Sequence, residues 1–382
     1  MELMKMFRSQ AKPAEDASPN EKVSPLDFDT LELVEGLGPA LSLEYQSNEI
    51  ALYDFLLKWA GHYSLEHENV DAVMDKVKEL KELVWSMPMF KGESAKSDDN
   101  RKWYKLWNVD PVTDIAISEI YWCTDIVLFR YLRSYKYDVK VAFHMLKKTL
   151  AWRRFRNVDS ISPDVVGPAN AGGMLYRKGY DNSARPIVYF RPHQEVDADR
   201  DSQQLLLYFT LERATQTVLL DHGNDKVFVI LDLNGWSLGR IPTLEIVIDT
   251  VRALSEHYTD VLHEVLIVDP PMLMDPVLQM IKAVLDSSTA KKIVVKPRGP
   301  KLEAYLKGRI NINYLEESMG GNNKTDYDHS AYWENEKREF LRYHQRKAEW
   351  IGKNEAEWAK PHVTDEIGDK TCDVNDSSRA ED

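Results

Sequence analysis

The residues with the clearest chemical potential are a serine, two aspartates and a few histidines. Gly235-Trp-Ser-Leu-Gly239 matches the G-x-S-x-G pattern of a nucleophile elbow, which presents a serine on a strand-to-helix turn. Val227 to Leu231 before it reads as a strand, so the context is right. An elbow also needs a helix directly after the serine, and Pro242 disfavours helix at Ile241. A triad needs a downstream acid and then a base. His257 and His263 lie within one crossover of Ser237, and His329 and His344 lie beyond the strand region. No Gly-rich oxyanion loop precedes the serine. Asp232 and Asp269 end two strands, where ligand sites of open sheets gather. They fit paired carboxylates or a metal, and equally fit turn and cap acceptors. No G-x-x-x-x-G-K-[ST] and no strand-linked G-x-G-x-x-G occurs. Cys123 and Cys372 stand far apart, and no Cys/His spacing suits zinc. No cofactor and no metal are expected.

The elements that would position these residues fall into two regimes. Glu44 to about Met87 keeps helical spacing, through Tyr53, Leu56, Leu57 and Ala60 and then Val70, Val73, Val77, Leu80 and Val84. Ile115 to Arg156 is helical again, with Asp138 as an N-cap between two helices. From Gly172 the pattern becomes strands alternating with helices. Strands are expected at 173–176, 187–190, 227–231, 265–268 and 293–295, and helices at 205–220 and 243–255. Near-continuous apolar strands between helices indicate a parallel sheet under a helical cover. Ala331 to about Lys360 reads as a charged helix strapped onto the body, with Trp333, Phe340, His344, Ile351 and Trp358 on one side.

The chain has 382 residues, 43% of them hydrophobic, and a formal net charge of -13. That balance argues against a general nucleic-acid binder, and no nucleic acid is expected as a partner. No apolar run approaches the roughly 18 to 20 residues of a membrane span. Met1 to Gln10 has no apolar signal-peptide core. A cytoplasmic, reduced protein, peripheral at membranes, is the expectation.

One stretch is too apolar for its place. Met272 to Leu285 lies between two strands, where a crossover helix should carry one apolar stripe and one wet face. Leu273, Val277, Met280, Ile281 and Val284 form that stripe. Met272, Met274, Leu278 and Leu285 fill much of the remainder, leaving Asp275, Gln279 and Lys282 polar. Such a helix needs apolar company on a second side, whether more protein, a membrane or a greasy ligand.

An ordered series of segments resembles the CRAL-TRIO lipid-binding family, the family of the fungal phosphatidylinositol-transfer proteins. The segments are Leu128 to Val139 (LFRYLRSYKYDV), Leu150 to Arg154, Ala184 to Tyr189, Leu231 to Gly235, His257-Tyr258, Val265 to Pro271, Val284 to Ile293 and Leu315 to Gly321 (LEESMGG). They run in family order from about residue 113 to 322. The resemblance implies an α/β fold: a helical N-terminal lobe beside a mostly parallel sheet, with a mobile gate helix over an apolar cavity. It also reads Gly235 and Ser237 as the family's exit from a strand. The implied organisation is a disordered arm (1–27), a helical extension (28–110), the N-terminal helical lobe (111–160), the lipid-binding domain (165–325), a strap helix (326–362) and an acidic disordered tail (363–382).

The same resemblance implies site residues. Lys136, Asp260, Thr289 and Lys292 match headgroup-binding positions, while Tyr135 and Val261 stand where the family has arginines, which weakens the expected phosphate affinity. Val227 and Val229 stand where phosphatidylcholine-binding members have hydroxyls. Tyr189, Val229, Leu231, Leu266, Met274, Leu278 and Ile281 are expected to line the cavity, and Met272, Asp275, Pro276 and Leu285 to belong to the gate, with Asp275-Pro276 as hinge and helix start. The implied function is non-enzymatic binding and transfer of phosphatidylinositol and a second hydrophobic lipid, with peripheral membrane contact. Two alternatives stay open: a lipid sensor recruiting a partner such as a lipid kinase, with residues 28–110 as a protein-partner module, and a serine hydrolase using Ser237.

Overall fold

The computed structural model describes residues 33–34, 38–39, 49–62, 67–90, 109–196, 198–236 and 244–358. The expected arm and acidic tail lie outside the described residues, as do Ser237 and Gly239.

Two short strands, β1 (Leu33–Val34) and β2 (Gly38–Pro39), form an antiparallel pair. The helices α1 (Glu49–His62) and α2 (His67–Trp85) follow. Then come α3 (Ile117–Trp122), α4 (Asp125–Ser134) and α5 (Val139–Arg156). Thr124 caps α4, and Asp138 caps α5 by accepting from the Val141 N–H at 3.0 Å. The apolar stripes of α1 to α5 meet in one cluster. Leu52, Phe55, Leu56 and Trp59 of α1 and Val70, Val77, Leu80 and Val84 of α2 pack with Leu128, Phe129, Leu132, Leu146 and Leu150. The helices of the expected extension therefore share a core with the expected lobe. Each would otherwise expose its stripe.

A short helix, α6 (Pro163–Val166), leads into the five-stranded sheet β3 (Leu175–Tyr180), β4 (Pro186–Phe190), β5 (Val227–Asp232), β6 (Leu262–Val268) and β7 (Ile293–Lys296), in that spatial order. The pair β3/β4 is antiparallel and the other three pairs are parallel. Three parallel connections run the same way across the sheet. They carry α7 (Arg200–Gln216), α8 (Leu244–His257) and α9 (Asp275–Val284) with α10 (Ser287–Lys291). Right-handed crossovers in one direction place their helices on one face. The other face is covered by α11 (Pro300–Lys307), whose Tyr305 hydroxyl donates to Glu264 of β6 at 2.8 Å.

The chain turns back at the Leu315–Gly321 segment, where a Cβ on Gly321 would sit 1.8 Å from the Leu315 carbonyl oxygen, so only glycine allows the approach. The last helix, α12 (His329–Trp358), straps both cores. Tyr332 and Trp333 pack into the sheet core, and Trp350 packs against the helical core and lies 5.5 Å from Tyr121. Fully buried Glu336 pins it, accepting from Arg177 at 2.7 Å and Arg213 at 2.9 Å.

Candidate lipid site

Strand register decides which residues face α9. Val229, Val265 and Ile293 form one row across β5, β6 and β7, and Leu231 and Ile267 belong to the next row on the same face. On these stand Met274, Val277, Leu278 and Ile281, in one cluster with Leu231, Val265, Ile267 and Ile293. Tyr189 and Leu266 fall in the alternate row, Tyr189–Ile230–Leu266, on the face that α11 covers. There Tyr189 stacks on Tyr176 with ring centroids 5.4 Å apart. Both were expected to line the cavity, and the register puts them on the face opposite α9. A strand buried on both faces shows no alternation in sequence, so its apolar run does not say which side chains point where.

The apolar stretch divides into a 3-10 turn, Met272–Met274, and α9, which begins at Asp275 with Pro276 in its first turn. Leu285 is its C-cap. The inward stripe is Met274, Val277, Leu278 and Ile281, at helical spacing. Met280, expected in that stripe, points outward with 38% exposure, and Met272 is 90% exposed. The stretch thus presents apolar side chains both to the sheet and to solvent. Among the described residues no helix is long and apolar enough to cross a membrane.

A second constellation lies at the N-terminal ends of the parallel strands. Asp260, in the turn before β6, holds a left-handed φ of 51°. Its Oδ1 accepts from Lys292 Nζ at 3.1 Å and from Lys226 Nζ at 2.9 Å, and its Oδ2 accepts from Arg133 Nε. Arg133 also bonds Asp225, which Arg130 Nε reaches at 2.9 Å. Lys292 ends α10, whose first turn is capped by Asp286 through the N–H groups of Ser288 (2.8 Å) and Thr289 (3.0 Å). Thr289 lies half-buried on that helix, one turn before Lys292. Of the four expected headgroup residues, the structure gathers Asp260 and Lys292 in one ion-paired group, with Thr289 beside them in sequence. Lys136 stands exposed on the turn between α4 and α5 and is not among the cations that hold Asp260. That turn contains two consecutive left-handed residues, Lys136 (φ 53°) and Tyr137 (φ 60°). Lys76 of α2 braces it by donating to the Tyr137 carbonyl at 2.8 Å.

Sequence reasoning missed Arg133 and Lys226. The available signals were the position of Arg133 within the LFRYLRSYKYDV segment and that of Lys226 directly before an apolar strand.

The electrostatics of this group are one-sided. Among the described residues four cations, Arg130, Arg133, Lys226 and Lys292, meet two carboxylates, Asp225 and Asp260. Burial would raise the Asp260 pKa, but Arg133, Lys226 and Lys292 outweigh it and hold the carboxyl well below the usual range. Burial and then Arg133 push the Lys226 ammonium down to about 8. His263 is pushed down to about 2 by burial and by Arg185, Lys226, Lys292 and Arg309.

The candidate enzyme residues are otherwise engaged. His257 stacks on Trp152 with centroids 4.5 Å apart, and its Nδ1 lies 3.2 Å from Thr149 Oγ1. His263 Nε2 lies 2.9 Å from Arg185 Nη1. Asp232 and Asp269 share Arg298, at 2.7 and 2.8 Å, as ion-pair partners rather than as an acid–base couple.

Residues 170–321 match the family described as the CRAL/TRIO domain. A CRAL-TRIO domain-containing protein of Schizosaccharomyces pombe is 26% identical over 226 residues, which cover 59% of this chain and 22% of that protein. The phosphatidylinositol transfer protein PDR17 of Saccharomyces cerevisiae is 25% identical over 227 residues, 56% of this chain and 62% of PDR17. The chain thus spans less than two thirds of these relatives' own length. The crystal structure of Sfh5 covers 69% of this chain and 91% of its own at 17% identity, with a TM-score of 0.48. The family match over 170–321 names the same family as the resemblance drawn from the ordered sequence segments.

Proposed function

We propose that this chain, with its CRAL/TRIO domain, binds a phospholipid and transfers it between membranes, and that phosphatidylinositol is the ligand. The observation that carries the reading is the two-sided apolar character of 272–285. Met274 and Leu278 are buried against the sheet while Met272 is 90% exposed. A two-chain lipid leaving a bilayer exposes on the order of thirty methylenes, at about 0.8 kcal/mol each, which is above 20 kcal/mol. A carrier removes that barrier by replacing the whole apolar environment at the membrane surface. A helix whose inner stripe meets the sheet or lipid tails and whose outer side chains meet the bilayer serves both ends of that exchange. The match of residues 170–321 to the CRAL/TRIO domain and the similarity to the phosphatidylinositol transfer protein PDR17 support the reading.

In this reading α9 is the gate, with Asp275-Pro276 at its start. Leu231, Val229, Met274, Leu278 and Ile281 meet the acyl chains. Thr289, Lys292 and Lys136 address the headgroup, and Asp260 orients Lys292. The test is exchange of labelled phosphatidylinositol between donor and acceptor vesicles. Thr289→Ala with Lys292→Ala abolishes exchange while the circular dichroism spectrum and melting temperature stay as in the parent. Unchanged exchange in that double variant rules out the assignment.

A further inference from the structure

We propose that Lys226 is a phosphate-binding residue, and that with Lys292 and Arg133 it forms an anion seat around Asp260 for the phosphate ester of the ligand. This rests on the phospholipid-binding reading above and adds a residue that no resemblance assigned.

Lys226 and Lys292 both bond Asp260 Oδ1, at 2.9 and 3.1 Å, and Arg133 takes Oδ2. One carboxylate therefore organises three cations that come from α4, the start of β5 and the end of α10. Two like ammonium groups on a single oxygen repel each other, and a lone carboxylate does not neutralise them. Even with Asp225 included, four cations face two carboxylates among the described residues. Burying an unneutralised cation is unfavourable unless an anion with spare acceptor oxygens joins it. A phosphate ester supplies both the charge and the oxygens, and charge-assisted hydrogen bonds to it are the strong kind. The group is not sealed. The side chains of Lys226, Lys292 and Asp260 keep 15%, 19% and 15% exposure, so an anion can reach it without unfolding. Asp260 then acts as a template that keeps the cations converged until the ester arrives.

The cationic field is visible at a neighbour: His263 is held neutral down to about pH 2 by burial and by Arg185, Lys226, Lys292 and Arg309. The groups around Lys226 are Arg133, Asp260, Lys292 and Asp225. With its ammonium pushed down to about 8, Lys226 loses its charge just above neutrality, and an arriving anion opposes that loss.

The experiment loads the full chain from phosphatidylinositol vesicles, re-isolates it and counts bound lipid at pH 7 and pH 9. Lys226→Gln lowers phosphatidylinositol loading about tenfold at pH 7. Lys226→Arg keeps phosphatidylinositol loading and removes the fall that the parent shows between pH 7 and pH 9. A Lys226→Gln variant that loads phosphatidylinositol like the parent overturns the proposal, as does a loss that Lys226→Arg shares in full, which marks a structural role only. If Lys226→Gln is normal while Thr289→Ala with Lys292→Ala abolishes exchange, this inference fails and the transfer reading stands. If the parent takes up no phosphatidylinositol, titration with soluble inositol 1-phosphate decides. Binding that needs Lys226 upholds the seat with a free ester as ligand, and no binding overturns it.

Discussion

The indole of Trp59 lies 5.6 Å from the guanidinium of Arg133, so a helix outside the CRAL/TRIO match packs on the residue that holds Asp260. Phe129 takes the same guanidinium at 4.7 Å and meets Trp59 edge-on at 5.3 Å. The charge cluster is therefore braced from behind by an aromatic wall to which α1 contributes.

Replacing Trp59 tests that bracing. Trp59 is buried, so Trp59→Ala lowers unfolding stability by about 3 to 5 kcal/mol. Trp59→Phe keeps a ring over Arg133 and loses less than half of that. Urea unfolding measures both. If the bracing matters for binding, Trp59→Ala also lowers phosphatidylinositol loading at temperatures where the variant is still folded. Loading equal to the parent's separates α1 from the site.

The outer side chains of the gate give an opposite signature. Met272 and Met280 are exposed, so Met272→Asp with Met280→Asp changes stability by no more than about 1 kcal/mol. Vesicle-to-vesicle exchange falls about tenfold, because two carboxylates must now approach the acyl boundary. Exchange at the parental rate would remove the membrane-facing role of 272–285.

Phosphatidylcholine is expected to be a poor ligand. Val227 is fully buried and Val229 half-buried on β5, and neither isopropyl group can hydrogen-bond a phosphate. Mass spectrometry of lipid extracted from purified protein tests this, and abundant phosphatidylcholine sinks it.

The cap of α10 sets a pH response. Burial would raise the Asp286 pKa, but hydrogen bonds from Ser288 and Thr289 outweigh it and hold the carboxyl at about 2. A carboxyl depressed in the folded state stabilises it above the unfolded pKa, about 3.9. That contribution is lost as pH falls from about 4 towards 2. Asp286→Ala costs about 1 kcal/mol at pH 7 and loosens the short helix that carries Thr289 and Lys292. Asp286→Asn keeps the cap and removes its share of the acid response. Melting curves between pH 2 and pH 7 compare the three proteins.

Much of the fold was legible in the residues. Asp138 was readable as a cap because an acidic side chain before an apolar-periodic run satisfies free backbone donors. Strands β4 to β7 stood out as apolar runs between helical stretches, whereas β3 runs over Leu175–Tyr180 rather than the expected 173–176, because Arg177 and Lys178 interrupt its apolar pattern. The short helices α10 and α11 were not legible, since five and eight residues hold too little periodicity to read. The charge cluster was half legible. Asp260 and Lys292 came from matched motifs, whereas Lys226 and Arg133 belong to different elements, and no local pattern links residues 133, 226, 260 and 292.

The sequence by itself determined the order of elements, the resemblance over about 113–322 and the excess of apolar residues in 272–285. Those properties are local or cumulative along the chain. The tertiary structure alone decided which way side chains face. It put Tyr189 and Leu266 on the face opposite α9, turned Met280 outward and Leu278 inward, and brought three cations onto Asp260. The reason is that a two-residue strand period leaves a trace in sequence only when one face is wet. Likewise, charges from separate elements become one site only when packing brings them within a few ångströms.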